Sequence, residues 1–250
     1  RWQLRHVRVR DFEEIATLFL EVFGHPLSRA LWEWKYARGR GNGVVAARNG
    51  ALIAHYGGMY RDVMLCGEPD WVFQICDVMV HPQERGVMTR QGPFLLTAAT
   101  SAEIYGPLGV GFPNARAMLV AAKMGLYSEV GQMSEVRWQP SAPRARLRTR
   151  VAVLERGNAA NESSVSNLWL AMAKDLRCGV VGVRDWAYLE QRYFGHPHNA
   201  YGVLLVTSRL TRKPLGVIVL RRLEASCELL DVIAPIGNLP SLIDQARRFP

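Results

Sequence analysis

From Trp71 to Val80 the chain is apolar at nearly every position, broken only by Gln74 and Asp77. A run of that kind suits a central strand covered on both faces, which requires helices above and below a sheet. No uncharged apolar run approaches the roughly 18–20 residues needed to cross a bilayer. No signal-peptide pattern follows Arg1. A chain of 250 residues with 49% apolar and 21% charged side chains is ordinary for a globular protein of one or two domains. It is not a disordered, collagenous or coiled-coil chain.

The elements around this strand can be read locally. Trp2–Arg8 alternates like a strand, and Asp11 with Glu14 has capping-box spacing. Ile15, Leu18, Phe19 and Val22 then form one helical face, ended by Gly24 and Pro26. Ser28 caps a second helix to about Arg38, and Gly39–Gly43 reads as a loop. Asn49-Gly50 between Val44–Arg48 and Ala51–Tyr60 is a strong hairpin signal, because both residues tolerate positive φ. Val63–Leu65 extends the second arm.

After the loop His81–Arg90, the spacing predicts a helix over Gln91–Glu103, with Gly92-Pro93 in its first turn. A strand Leu108–Phe112, a helix Ala115–Met124 stopped by Gly125, and a strand over Tyr127–Trp138 follow. Pro140, Pro143 and four Arg make 140–150 a linker. The order helix, hairpin, buried strand, helix then recurs: Asp185–Tyr193, Tyr201–Thr207 with Leu215–Arg222, Cys227–Ala234, and Leu239–Arg248. Asp231 takes the place of Asp77 in that second copy. The reading is therefore α/β, with an α+β mixed sheet in each of two domains. The first covers 1–139, and the second, degenerate one covers 151–250.

The net charge of +9 is uneven, since residues 140–150 alone carry four Arg and no acid. That stretch is either a solvated linker or an attraction for polyanions. No nucleic-acid motif accompanies it, so nucleic acid is not the expected partner. Arg outnumbers Lys 27 to 4, the composition of a GC-rich bacterial genome. Cys66, Cys76, Cys178 and Cys227 form no C-x-x-C pair, and no His lies at metal spacing. Reduced thiols, a cytoplasmic setting and no metal are the expectation. Neither a membrane partner nor an obligate monomer is implied, and a homo-oligomer stays open.

The segment that carries chemistry joins the buried strand to the next helix: Val80-His81-Pro82-Gln83-Glu84-Arg85-Gly86-Val87-Met88-Thr89-Arg90. Amides at a helix start have no intrahelical partner and sit at the positive end of its dipole. A Gly there lets an anion approach, and Arg85 and Arg90 add charge. This is neither a P-loop nor a G-x-G-x-x-G fingerprint. Asp77 is the candidate base, because a carboxylate in an apolar strand is costly without a purpose or a partner. Trp32, Trp34 and Tyr36 either line an acceptor site or belong to the core.

Gln83-Glu84-Arg85-Gly86-Val87-Met88 resembles the Gln/Arg-x-x-Gly-x-Gly/Ala signature of the GNAT superfamily, the acyl-coenzyme-A-dependent N-acetyltransferases. Val80-His81-Pro82, Phe112-Pro113-Asn114 and the element order of 1–138 also fit. The resemblance implies a tandem GNAT-like chain whose first half transfers an acyl group, with acetyl the expected one, from acetyl-CoA to a primary amine of a small molecule or peptide. It places the coenzyme A pyrophosphate on the amides of Arg85, Gly86, Val87, Met88, Thr89 and Arg90. The pantetheine arm would lie along Val78, Met79 and Val80, with Asn114 near the cofactor. Two positions depart from the family. Met88 replaces a small residue, and Ala121 stands where many members carry a Tyr acid. Tyr127 is the candidate substitute. The alternative is a non-catalytic acyl-CoA-binding or interaction module.

Overall fold

A computed structural model describes residues 2–85, 92–106, 108–140 and 149–249. The chain forms two compact units, Arg1–Arg61 with Trp71–Ser134, and Asp62–Asp70 with Glu135–Pro250. The grouping changes between Ser134 and Glu135, and residues 62–70 cluster with the second unit.

The first unit runs β1 (Gln3–His6), α1 (Phe12–Phe23), α2 (Arg29–Tyr36), β2 (Gly41–Arg48), β3 (Ala51–Leu65), β4 (Glu68–Val80), α3 (Pro93–Tyr105), β5 (Gly109–Gly111) and α4 (Ala115–Lys123), except that the end of β3 and the start of β4, within 62–70, group with the second unit. Its strands lie in the order β1-β2-β3-β4-β5. The hairpin turn has Asn49 at φ 52° and Gly50 at φ 84°, the left-handed pair that the sequence requires. Pairing β4 with β5 is parallel, so the sheet is mixed. Ile15, Leu18, Phe19 and Trp32 bury the helical faces against Val45, Leu52 and Met79. Trp32 and Trp34 are both buried.

Three local expectations are corrected. Gly41–Gly43 is not a loop but the start of β2, paired with Gly57–Met59. A Cβ on Gly41 would lie 2.6 Å from the Gly58 carbonyl oxygen, so small residues here serve close backbone approach. Asp11 does not cap α1; it is buried, bonded to Arg5 at 2.6 Å and to the Arg8 amide at 2.7 Å. Tyr127–Trp138 forms no strand. Nothing pairs with its amides in a ladder, and Val130, Met133 and Val136 are exposed.

The second unit contains β6 (Thr149–Val153), α5 (Ala159–Asp175), β7 (Val180–Gly182), α6 (Trp186–Leu189), β8 (Gly202–Ser208), β9 (Pro214–Arg222), β10 (Cys227–Ile233) and α7 (Leu239–Ala246). A π-turn, Glu190–Phe194, prolongs α6. Its sheet is antiparallel, ordered β10-β9-β8-β6. Met64, at the end of β3, pairs with Val181 of β7. Thr149 and Arg150, expected in the linker, open β6, and 141–148 lie outside the described residues. The sequence reading assigned neither β6, α5 nor β7. α5 shows why: Ser163, Ser164, Ser166 and Asn167 interrupt its apolar pattern, and only Val165, Leu168 and Trp169 are buried. One face of the sheet packs on Val165, Trp169 and Leu189, the other on Leu242 and Ala246.

Candidate functional site

The site is organised by a defect in β4. Phe73 donates its amide to Leu108 at 3.1 Å, so Phe73 and Ile75 turn their main-chain groups toward β5. Unbroken alternation would point His81 the same way. Instead the His81 amide donates to Ile53 of β3 at 2.8 Å. One residue is therefore extra between Ile75 and His81, which defines a bulge. Asp77, at φ 51°, is the residue that absorbs it. Beyond the bulge, Val78 and Val80 direct their main-chain groups to the edge opposite β3. β5 pairs with β4 only over Phe73–Ile75, so the two strands part there.

The Asp77 side chain is held by the end of α2. Lys35 Nζ lies 2.7 Å from Oδ1 and 3.0 Å from Oδ2, and the Tyr36 hydroxyl donates to Oδ2 at 2.7 Å. The pair is largely removed from water, with side-chain exposures of 17% for Lys35 and 8% for Asp77. Burial, then the Asp77 charge, pushes the Tyr36 phenol well above its usual range. The same causes push the Cys76 thiol up to about 12, so it is a protonated thiol and not a nucleophile at neutral pH.

His55 completes the cluster from β3. Its Nδ1 lies 2.7 Å from the Asp77 carbonyl and must carry the proton there, since a carbonyl only accepts. Nε2 is buried without a partner. Burial lowers the His55 pKa, so the folded state keeps the ring neutral. The unfolded ring titrates near pH 6.5. Stability from this group is thus full above that pH and is lost as pH falls toward the lower, folded value. We expect the unfolding free energy to drop by about 1.4 kcal/mol per pH unit below about pH 6.5. Urea unfolding at a series of pH values, with His55→Asn as the flatter control, checks this. Equal slopes for both proteins would refute it.

The remaining expected residues take these places. The Tyr127 hydroxyl is 2.8 Å from that of Tyr56 on β3, and burial raises both phenols. Arg85 Nε donates to the Val80 carbonyl at 3.0 Å. Met79 is buried in the core, so only its main chain faces the sheet edges. Asn114 caps α4 by accepting from Ala117 at 2.9 Å, directly after β5. Gly86, Val87, Met88, Thr89 and Arg90 lie outside the described residues. The structure thus brings Asp77 together with Lys35, Tyr36, Cys76 and His55, and Tyr127 with Tyr56. It does not bring Asp77 to Tyr127 by any bond.

Lys35, Tyr36, His55 and Tyr56 were not singled out by sequence reasoning as partners of the two candidates. A signal for two of them existed in the recurring pattern. In the second unit Arg184 donates to Asp231 Oδ1 at 2.9 Å, and Tyr188 and Tyr193 donate to Oδ2 at 2.7 and 3.0 Å. The β10 register also shifts between Leu229 and Asp231. A cation and a phenol facing a strand carboxylate thus occur in each unit, with Lys35 on α2 in the first and Arg184 just before α6 in the second. No cluster of three metal-ligating side chains occurs among the described residues, and no helix among them is long and apolar enough to cross a membrane.

Residues 3–92 match a family model described as an acetyltransferase (GNAT) domain. No curated protein sequence matches. Among solved structures, a probable N-acyltransferase from Enterococcus faecalis V583 superposes over 99% of this chain and 62% of its own, with a TM-score of 0.69 at 11% identity. A GCN5-related N-acetyltransferase from Kribbella flavida covers the same shares, with a TM-score of 0.62 at 14% identity. The N-myristoyltransferase of Saccharomyces cerevisiae, solved with bound myristoyl-CoA, covers 98% of this chain and 73% of its own, with a TM-score of 0.54 at 10% identity. The chain therefore spans about 62% of the length of the first two structures. The mixed α/β architecture is the fold that these structures share with the chain, and the stretch similar to an acetyltransferase (GNAT) domain runs from β1 through β4 to the residue before α3.

Proposed function

We propose that the first unit is an N-acyltransferase that moves an acetyl group from acetyl-CoA to a primary amine. The observation that carries this reading is the bulge at Asp77, which leaves Val78 and Val80 facing an edge that β5 has left. An extended amide-bearing arm can add to such an edge as a strand does. The fit has one condition. Arg85 already bonds the Val80 carbonyl, so a ligand using that oxygen must displace the guanidinium. The amides of Arg85 to Arg90 are the proposed cradle for the pyrophosphate, and Asn114 is proposed to lie near the cofactor where β4 and β5 part.

Acetyl-CoA supplies an activated thioester when bound. The chain supplies proximity and proton handling. The amine nitrogen forms the new C–N bond, the C–S bond breaks, and the thiolate takes a proton. Tyr127, whose raised pKa keeps its hydroxyl protonated, is the proposed donor. Asp77 is the proposed acceptor for the ammonium proton; to act so, it must exchange a bond to Lys35 or Tyr36. The second unit is the proposed degenerate copy.

A specific observation favours a second reading. Ala121 is fully buried in α4, where many family members place a tyrosine acid. A non-catalytic acyl-CoA-binding module would tolerate that. Thermal unfolding with acetyl-CoA at 100 times its dissociation constant is expected to show about 2.7 kcal/mol of added stability. Gly86→Asp is expected to abolish the gain. No stabilisation would sink both readings. Stabilisation without thiol release across a panel of amines would leave the binding module.

A further inference from the structure

The second unit carries a cationic hollow that neither the acyl-transfer reading nor the family match uses. On the sheet face that packs α5, the corner of β6 and β8 stays open. Arg150 pairs with Thr207 and Ala152 with Leu205 across those strands. After Ser208 the chain reverses. The Arg212 amide donates to the Ser208 carbonyl at 2.9 Å, the Thr211 amide to Ser208 Oγ at 3.2 Å, and Arg212 sits at φ 57°. A left-handed residue without glycine is strained, and here it fixes where the turn points its arginines. The result is a hollow of about 530 Å3 lined by Arg150, Ala152, Thr207, Ser208, Arg209 and Arg212.

Among the described residues no carboxylate pairs with any of these three guanidiniums. Three like charges around one concavity repel each other, and an anion in the middle relieves that repulsion. Guanidinium forks match phosphate oxygens in pairs, and the Ser208 hydroxyl adds a donor. The volume lies within the range of small-molecule sites, about 300–1,000 Å3. A single-stranded nucleic acid would instead want a long groove with aromatic platforms, and this lining holds no aromatic residue. We propose that this hollow binds the di- or triphosphate moiety of a small phosphorylated ligand, at a site separate from the Gly86 loop.

Isothermal titration with sodium pyrophosphate at low salt tests this, using the whole chain and the variant Arg150→Ala/Arg209→Ala. Both side chains are exposed, so the variant is expected to fold, checked by an unchanged melting temperature. Wild type is expected to bind, and the variant to bind about tenfold more weakly or worse. Its stabilisation by acetyl-CoA is expected to be unchanged, which separates this site from the acyl-transfer reading. Absence of binding, or equal affinity in wild type and variant, overturns the proposal. So does tight binding of a single-stranded RNA that pyrophosphate cannot displace, which would mark a backbone track. ADP displacing pyrophosphate from the wild type supports a nucleotide-sized ligand.

Discussion

Asp77→Asn is expected to lower the unfolding free energy by about 3 kcal/mol, the lower end of what breaking a buried ion pair costs. The amide keeps the shape and one hydrogen bond to Tyr36. What it loses is the charge facing the Lys35 ammonium, which is only 17% exposed and has little water to turn to. Removing both partners, as in Lys35→Met/Asp77→Leu, is expected to recover most of that loss, because no charge is then left stranded. Denaturant unfolding of wild type, Asp77→Asn and the double variant measures both the loss and its recovery. A single variant within about 0.5 kcal/mol of wild type would show that the pair contributes nothing. If Asp77 also takes the amine proton, turnover in the Asn variant should fall about 10²–10⁴-fold with acetyl-CoA affinity little changed. A merely structural Asp77 would leave turnover per folded molecule intact.

Gly57→Ala is the second large effect. A Cβ there would sit 2.4 Å from His55 Cε1, 2.5 Å from the Tyr36 hydroxyl and 3.2 Å from the Cys76 carbonyl. None of these can yield cheaply. His55 is tied to Asp77, Tyr36 to the same carboxylate, and the carbonyl belongs to the strand. Overpacking of this sort costs about 1–3 kcal/mol, and the fixed neighbours argue for about 3. A Gly50→Ala comparison separates steric from conformational cost. Gly50 at φ 84° has open space around it, so its loss reflects backbone strain alone. Equal, small losses at both positions would show that the cluster around Asp77 repacks freely.

The hairpin at Asn49-Gly50, the Ser28 cap, the α4 stop at Gly125 and the apolar strand through Asp77 were all legible, because each depends on local chemistry. The bulge was not. Its existence follows from which strand His81 pairs with, and that is a long-range fact. Asp77 was legible as a carboxylate needing a reason. Its partners were not, since Lys35 and Tyr36 lie some forty positions away. Tyr127–Trp138 misled for the opposite reason: its apolar residues read as a strand, but a strand also needs a neighbour. The second unit was legible in its hairpin and last helix, and illegible in α5, whose serines hide a helical face.

The twin carboxylates also bear on how such a chain changes over generations. Asp231 ties a cation and two phenols to β10 in a sheet that has no parallel strand splayed away from it. Its clamp serves folding whether or not chemistry occurs beside it. Selection for a stable chain alone would therefore preserve that acid, and by the same logic Asp77. Persistence of either aspartate among descendants would record the demands of folding, so activity must be traced instead through the edge of β4 that the bulge lays bare.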